Sequence, residues 1–122
     1  MGTFSSDNGS NLEPRIVPRR VFEARFRIRI QRGQRSLVIE GWARDISESG
    51  LGAFVARELI LGELVTLEIP LAHSAKLMVP AKVARCLGTQ YGFQFTALSA
   101  EQREQIRSAV EGQPGVPFPQ PK

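Results

Sequence analysis

VFEARFRIRI (residues 21–30) alternates without a break. Phe22, Ala24, Phe26, Ile28 and Ile30 fall on one side, and Glu23, Arg25, Arg27 and Arg29 on the other. Successive side chains of an extended chain point to opposite faces, so this period of two describes a strand with one face against a core. The pattern continues downstream. QRGQ makes a turn around Gly33, and SLVIEGWARDI (36–46) resumes with Leu37, Ile39 and Ala43 on one side, Val38 and Trp42 on the other. GLGAFVA (50–56), LVTLEIP (64–70), KLMVPAKVARCLG (76–88) and QYGFQFTAL (90–98) bring the strand candidates to six. Six short strands joined mainly by turns, with no long helix between them, predict a mainly β protein, a small antiparallel barrel or sandwich.

Two residues qualify the strands. Pro80 cannot donate to a ladder, which predicts an edge, a bulge or the true start of the fifth strand. Gly92 permits a bend in the sixth. After the strands, SAEQREQIRSAVEG (99–112) changes period: Ser99 can cap a helix, Gln102 can complete a capping box, and Ile106, Ala109 and Val110 form an apolar stripe with Leu98 nearby. This predicts a C-terminal amphipathic helix packed on its own domain, with Gly112 ending it.

At 122 residues the chain suits one domain. Residues 1–17 are small, polar and turn-forming and read as a flexible leader. Residues 112–122, with prolines at 114, 117, 119 and 121, read as an extended tail that either stays free or returns onto the barrel through Phe118. The folded domain is expected over 18–111.

The net charge of +4 is concentrated: Arg15, Arg19, Arg20, Arg25, Arg27, Arg29, Arg32 and Arg35 all fall within residues 15–35. Such a local excess suits an anionic partner at that end better than a general affinity for polyanions. Cys86 is the single cysteine and His73 the single histidine, which argues against a disulfide, a metal centre or a protein-held cofactor. No apolar run has the length of a signal peptide or a membrane span, so a soluble cytoplasmic protein is expected.

Catalysis has no support. His73 lies in a loop without a carboxylate or cysteine at a catalytic spacing, and Glu48, Glu63 and Glu68 form no acid–base pattern. Tyr91, Phe93 and Phe95 alternate as a barrel core requires, and the match of YGFQF to a base-stacking RNA-recognition strand is poor. Arginines alone can bind nucleic acid without reading sequence, but Glu40 and Glu48 follow the cluster and no series of exposed aromatics accompanies it, Trp42 being one candidate platform. A small dianion needs only a compact pocket.

RDISESGLGAF (44–54) places a carboxylate, a hydroxyl and glycines at the end of a strand. Asp45 can accept two donor hydrogens, Ser47 can bind phosphate or cap a turn, and Gly50 allows close approach. The spacing Asp-x-Ser-x-x-Gly, after an arginine cluster and before further barrel strands, resembles the PilZ domain family. The YGFQF strand and the terminal helix agree, and the resemblance covers about residues 18–111. It implies a six-stranded antiparallel barrel with a terminal helix and a non-enzymatic receptor or adaptor for the bacterial second messenger cyclic di-GMP, acting on a protein effector through the barrel or helix surface. By the same resemblance, Asp45 and Ser47 would meet a guanine edge or a phosphate oxygen, and Gly50 would leave room for the nucleotide.

The family's first motif carries two arginines separated by three residues ahead of the first strand. Arg15 and Arg19 have that spacing, whereas Arg20 and Arg25 are separated by four. The expected assignment is that Arg19 and Arg20 close over a stacked dinucleotide and Arg25 anchors phosphate. Three alternatives accompany it. Asp45 could cap a turn and pair with Arg25 or Arg44. The domain could be a PilZ-like adaptor that binds protein and no nucleotide, or a barrel that binds nucleic acid non-specifically.

Overall fold

The computed structural model describes residues 19–71, 76–111 and 115; the expected leader, most of the expected tail and His73 lie outside them. The alternating segments form β1 (Arg20–Arg32), β2 (Arg35–Ile46), β3 (Gly50–Val55), β4 (Leu64–Pro70), β5 (Lys76–Leu87) and β6 (Gln90–Phe95), followed by the helix α1 (Ala100–Ala109). All pairings are antiparallel, and the strands close into a barrel in the order β1-β2-β3-β6-β5-β4. Closure leaves the sheet without open edges.

The inward set is the one the alternation selects. Phe26, Ile28 and Ile30 from β1 are buried with Ile39, Ala43, Leu51, Leu67, Val79 and Val83 from the other strands. Tyr91 and Phe93 are buried too, Phe93 edge-on to Phe26 with ring centroids 6.0 Å apart, so these aromatics build the core and are not available to stack bases. Ile106 and Val110 at the end of α1 join the same core. Ser99 caps that helix by accepting from the Gln102 N–H while the Gln102 side chain accepts from the Ser99 N–H. Gln102 also donates to the Met78 carbonyl at 2.9 Å, which pins the helix start to β5.

Pro80 sits inside β5, opposite Thr66, with no bulge at that point. Its carbonyl accepts from the Thr96 N–H at 2.9 Å, so its nitrogen also faces β6. The β5–β6 ladder begins only at Ala81, opposite Phe95, so Pro80 lies at the end of that pairing, where its missing N–H interrupts no bond inside the ladder.

Ion pairs across the seams claim several of the arginines. Arg29 donates to the buried Glu68 at 3.0 and 3.2 Å across the β1–β4 closure. Arg32 forks onto Glu63 at 2.7 and 3.0 Å, and Glu63 also accepts from the Ile60 N–H at 3.1 Å. Hydrogen bonding from Arg32 holds the Glu63 carboxyl below its ordinary value, against an opposing push from burial. A carboxyl depressed in the folded state contributes stability above its unfolded value, ~4.3, and loses that contribution as pH falls through the folded value. The melting temperature is therefore expected to drop in acid below the ordinary carboxylate range, with Glu63→Gln shallower in slope than the parent. An identical slope in the variant would exclude Glu63 as a source of the acid sensitivity.

Candidate ligand-binding site

The arginine cluster is divided by the strand that carries it. Neighbouring residues of an extended chain face opposite ways, and Arg19 and Arg20 do so at the start of β1. Arg19 turns toward β2, where its Nε donates to Asp45 Oδ1 at 2.7 Å and its Nη2 reaches the same oxygen at 2.5 Å. Arg20 lies opposite Ile46, bridges Gly115, and lines a cavity of about 300 Å³ with Glu104, Arg107, Ser108 and Val110 at the end of α1. The bridge sets Gly115 against the start of β1.

Asp45 thus pairs with Arg19, and not with Arg25 or Arg44. Arg25 stands opposite Trp42, four residues along β1 from Val21, the residue that faces Asp45. At ~3.3 Å per residue this is roughly 13 Å. Arg25 instead lines a shallow surface hollow with Glu40, Trp42 and Phe54. Arg44 lies over the Phe54 ring, 4.9 Å from its centroid, a cation–π contact on the outer wall. Trp42 is 43% exposed and faces outward beside Phe54, which settles its place on the outside of the barrel.

Ser47 and Gly50 hold the turn between β2 and β3. Ser47 is buried; its N–H donates to the Gly50 carbonyl at 2.9 Å, and its Oγ accepts from the Ser49 N–H at 3.1 Å and shares a hydrogen bond with the Ser49 hydroxyl. A Cβ at Gly50 would run into the Phe93 carbonyl, so a glycine is required there by the approach of β6. This is the close approach expected at Gly50, and the neighbour is backbone of the same chain.

The floor beside Asp45 contains residues that sequence reasoning missed. Asp45 faces Gly52, Gly52 faces Gly92, and Gly92 faces Arg85, one row across β2, β3, β6 and β5. A Cβ at Gly52 would lie 2.9 Å from both Asp45 carboxylate oxygens, and one at Gly92 would lie 3.0 Å from the Arg85 Nε and Nη2. Gly92 therefore makes space for a side chain on its neighbour, at the point where the β5–β6 register shifts between Val83 and Arg85. Asp45, Gly52, Gly92 and Arg85 line an open cleft of about 620 Å³ together with Arg44, Leu87, Gln90 and Tyr91. A glycine in a strand interior signals such close approach, which is the one sequence clue to this floor.

Other chemistry is accounted for. Among the described residues no group of His, Cys, Asp or Glu could hold a metal ion. Glu48 bonds Arg107 at 3.1 Å and lies near Arg103, Glu63 is held by Arg32, and Glu68 by Arg29. Cys86 is exposed, with its thiol 3.7 Å from the Gly88 carbonyl. No helix among the described residues is long and apolar enough to cross a membrane.

A closed six-stranded barrel with a terminal helix, carrying a carboxylate–arginine pair where the chain enters its first strand, defines a barrel module with a polar surface cleft. The chain belongs to the PilZ domain family, whose model matches residues 13–112. PilZ domains are non-catalytic adaptor and receptor modules. Solved structures agree in fold. The PilZ domain of CeSA from a cellulose-synthesizing bacterium aligns with a TM-score of 0.59 at 19% identity, over 76% of this chain and 95% of that one. The PilZ domain of YcgR from Escherichia coli with c-di-GMP aligns at 0.62 and 16% identity, over 81% and 92%. YcgR in complex with c-di-GMP aligns at 0.63 and 17%, over 80% of this chain and 45% of that one. No curated protein matches the chain in sequence.

Proposed function

We propose that this domain is a receptor for cyclic di-GMP, with Asp45 reading a guanine and Arg19 clamping a phosphate of the same molecule. The observation that carries the reading is the Arg19–Asp45 pair, a half-covered carboxylate held by an arginine at the strand entrance in a PilZ domain. The solved structures of YcgR with c-di-GMP, which share the fold, support it.

The pair suits an exchange. Guanine N1–H and N2–H donors replace the Arg19 guanidinium on Asp45, and the released guanidinium turns to a phosphate oxygen, so that one charge-assisted contact is traded for two. Because Arg19 immediately precedes β1, the exchange repositions the entering chain, which gives a downstream protein a ligand-dependent surface. Ser47 acts by holding the turn that presents Asp45, and Gly50 by letting that turn sit on β6. Arg20 and Arg25, on other faces, contribute through the local positive field or through contacts to the far half of the dinucleotide.

Isothermal titration at physiological salt tests the reading. Saturable, guanine-selective binding that weakens with Arg19→Ala is the expected result. A well-folded protein giving no heat and no chemical-shift change with cyclic di-GMP would overturn it and favour a protein-binding adaptor, a reading for which exposed Ile60, Leu61, Leu64 and Leu87 provide apolar surface. Affinity that rises with oligonucleotide length and falls steeply with salt would instead identify a nucleic-acid binder.

A further inference from the structure

Asp45 and Arg85 occupy equivalent places at the two ends of one row. Each follows a register shift, between Ala43 and Asp45 in β2 and between Val83 and Arg85 in β5. A bulge re-aims the side chain next to it, and here both side chains fold inward over the neighbouring strand. Asp45 covers Gly52 and Arg85 covers Gly92, two glycines that face each other. Adjacent strands lie ~4.8 Å apart, so the carboxylate and the guanidinium are held side by side above one short floor.

They do not bond to each other. Asp45 has its ion pair with Arg19, and among the described residues Arg85 makes none. An exposed arginine beside a carboxylate it does not pair with, both lining one cleft, presents donors and acceptors at once. A phosphate could use only the arginine and would be repelled by the neighbouring carboxylate. A guanine uses both: its N1–H and N2–H donors suit Asp45, and its O6 and N7 acceptors on the adjoining edge suit the planar fork of an arginine. Adenine, with a donor at N6, fits neither in the same pose.

We infer that Arg85 is a second base-reading residue, taking the O6/N7 edge of the guanine whose other edge meets Asp45. This rests on the cyclic di-GMP reading above and makes guanine selectivity the joint property of β2 and β5.

The test is a set of titrations of the full chain and its Arg85→Ala, Arg85→Lys and Asp45→Asn variants with cyclic di-GMP, its 7-deaza analogue lacking N7, cyclic di-IMP lacking the N2 amino group, and cyclic di-AMP. The full chain should lose about threefold to tenfold in affinity when N7 is removed, the cost of one of the two bonds in a good bidentate contact. Arg85→Ala should bind cyclic di-GMP and the 7-deaza analogue equally and discriminate less against cyclic di-AMP, with Arg85→Lys recovering only part of that selectivity. Asp45→Asn should instead become indifferent to loss of the N2 amino group. Since the Arg85 side chain is exposed, its variants should melt as the parent does. An Arg85→Ala variant weakened by the same factor for every dinucleotide, with a reduced salt slope, would assign Arg85 to phosphate and overturn the inference. So would unchanged affinity and selectivity in a parent that binds cyclic di-GMP. No binding by the parent overturns both readings.

Discussion

Asp45→Ala is expected to weaken cyclic di-GMP binding by about 100-fold while leaving the barrel folded. Two hydrogen bonds from guanine N–H groups to an ionised acceptor are lost, and charge-assisted bonds of this kind contribute about 1.5–3 kcal/mol each in mutational series. Because the parent gives up its Arg19 pair to make these bonds, the net loss is smaller than their sum, and ~2.7 kcal/mol corresponds to 100-fold in dissociation constant. The folded state loses less. The Arg19–Asp45 pair keeps side-chain exposures of 31% and 22%, so solvent screens it, and its removal should cost at most about 1 kcal/mol. Asp45→Asn is the sharper variant. It preserves shape and one acceptor but places an amide N–H₂ where a guanine donor must come, and should lie between parent and alanine in affinity. Titration calorimetry with thermal melting beside it checks both halves. Parent-like affinity in Asp45→Ala would remove Asp45 from base recognition.

Ion pairs and stacking within the barrel take up part of the concentrated positive charge at this end. Arg29 and Arg32 spend their guanidinium groups on Glu68 and Glu63, and Arg44 lies on Phe54. Arg107 is tied to Glu48 and Glu104 on the helix side. What stands around Asp45 is local: Arg19 bonded to its carboxylate, and Arg85 in the same cleft. On the proposed reading, a carboxylate within such a set selects against phosphate alone and for a ligand that carries both phosphates and donor groups.

The barrel was legible because burial on one face of a strand writes itself into alternate residues. Phe26, Ile28 and Ile30 declare their side without any knowledge of the neighbouring strands, and the capping box at Ser99 is equally local. The site was legible only where its chemistry is local. Asp45 and Arg19 could be named from residue type and a motif spacing, but which arginine meets Asp45 depends on strand register. The shift between Val21 and Ala24 adds a residue to β1 that composition does not mark. At Gly50 the residue type announced a close approach, and strand pairing decides that the neighbour is the Phe93 backbone. Arg85 and Gly92 were invisible as site residues because β3 pairs with β6, a strand far along the chain, and two one-residue bulges set the aim of the side chains. Neither long-range pairing nor a bulge leaves a periodic trace.

Gly50→Ala should be among the most destabilising single-methyl additions in this domain, and Gly52→Ala should separate folding from binding two residues away. At Gly50 the added Cβ meets the Phe93 carbonyl, which is backbone in the β3–β6 ladder and cannot rotate aside. Relief requires the strands to part at the point where the Ser49 carbonyl accepts from the Phe95 N–H at 2.9 Å. Overpacking in a well-packed interior costs about 1–3 kcal/mol, and a clash with backbone belongs at the upper end, ~3 kcal/mol. For a domain of this size that lowers the melting temperature by roughly 15 °C. At Gly52 the atoms nearest the added Cβ are those of the Asp45 carboxylate, the end of a side chain that can swing outward. The cost to folding should stay below about 1 kcal/mol, because the displaced group reaches solvent. Cyclic di-GMP affinity should nevertheless fall by about tenfold or more, since a carboxylate moved from its floor no longer meets both guanine donors. Thermal denaturation and calorimetry on the two variants give the comparison. If Gly50→Ala melts as the parent does, the Phe93 contact is not what requires glycine there; if Gly52→Ala binds as the parent does, the position of Asp45 over that floor is not part of recognition.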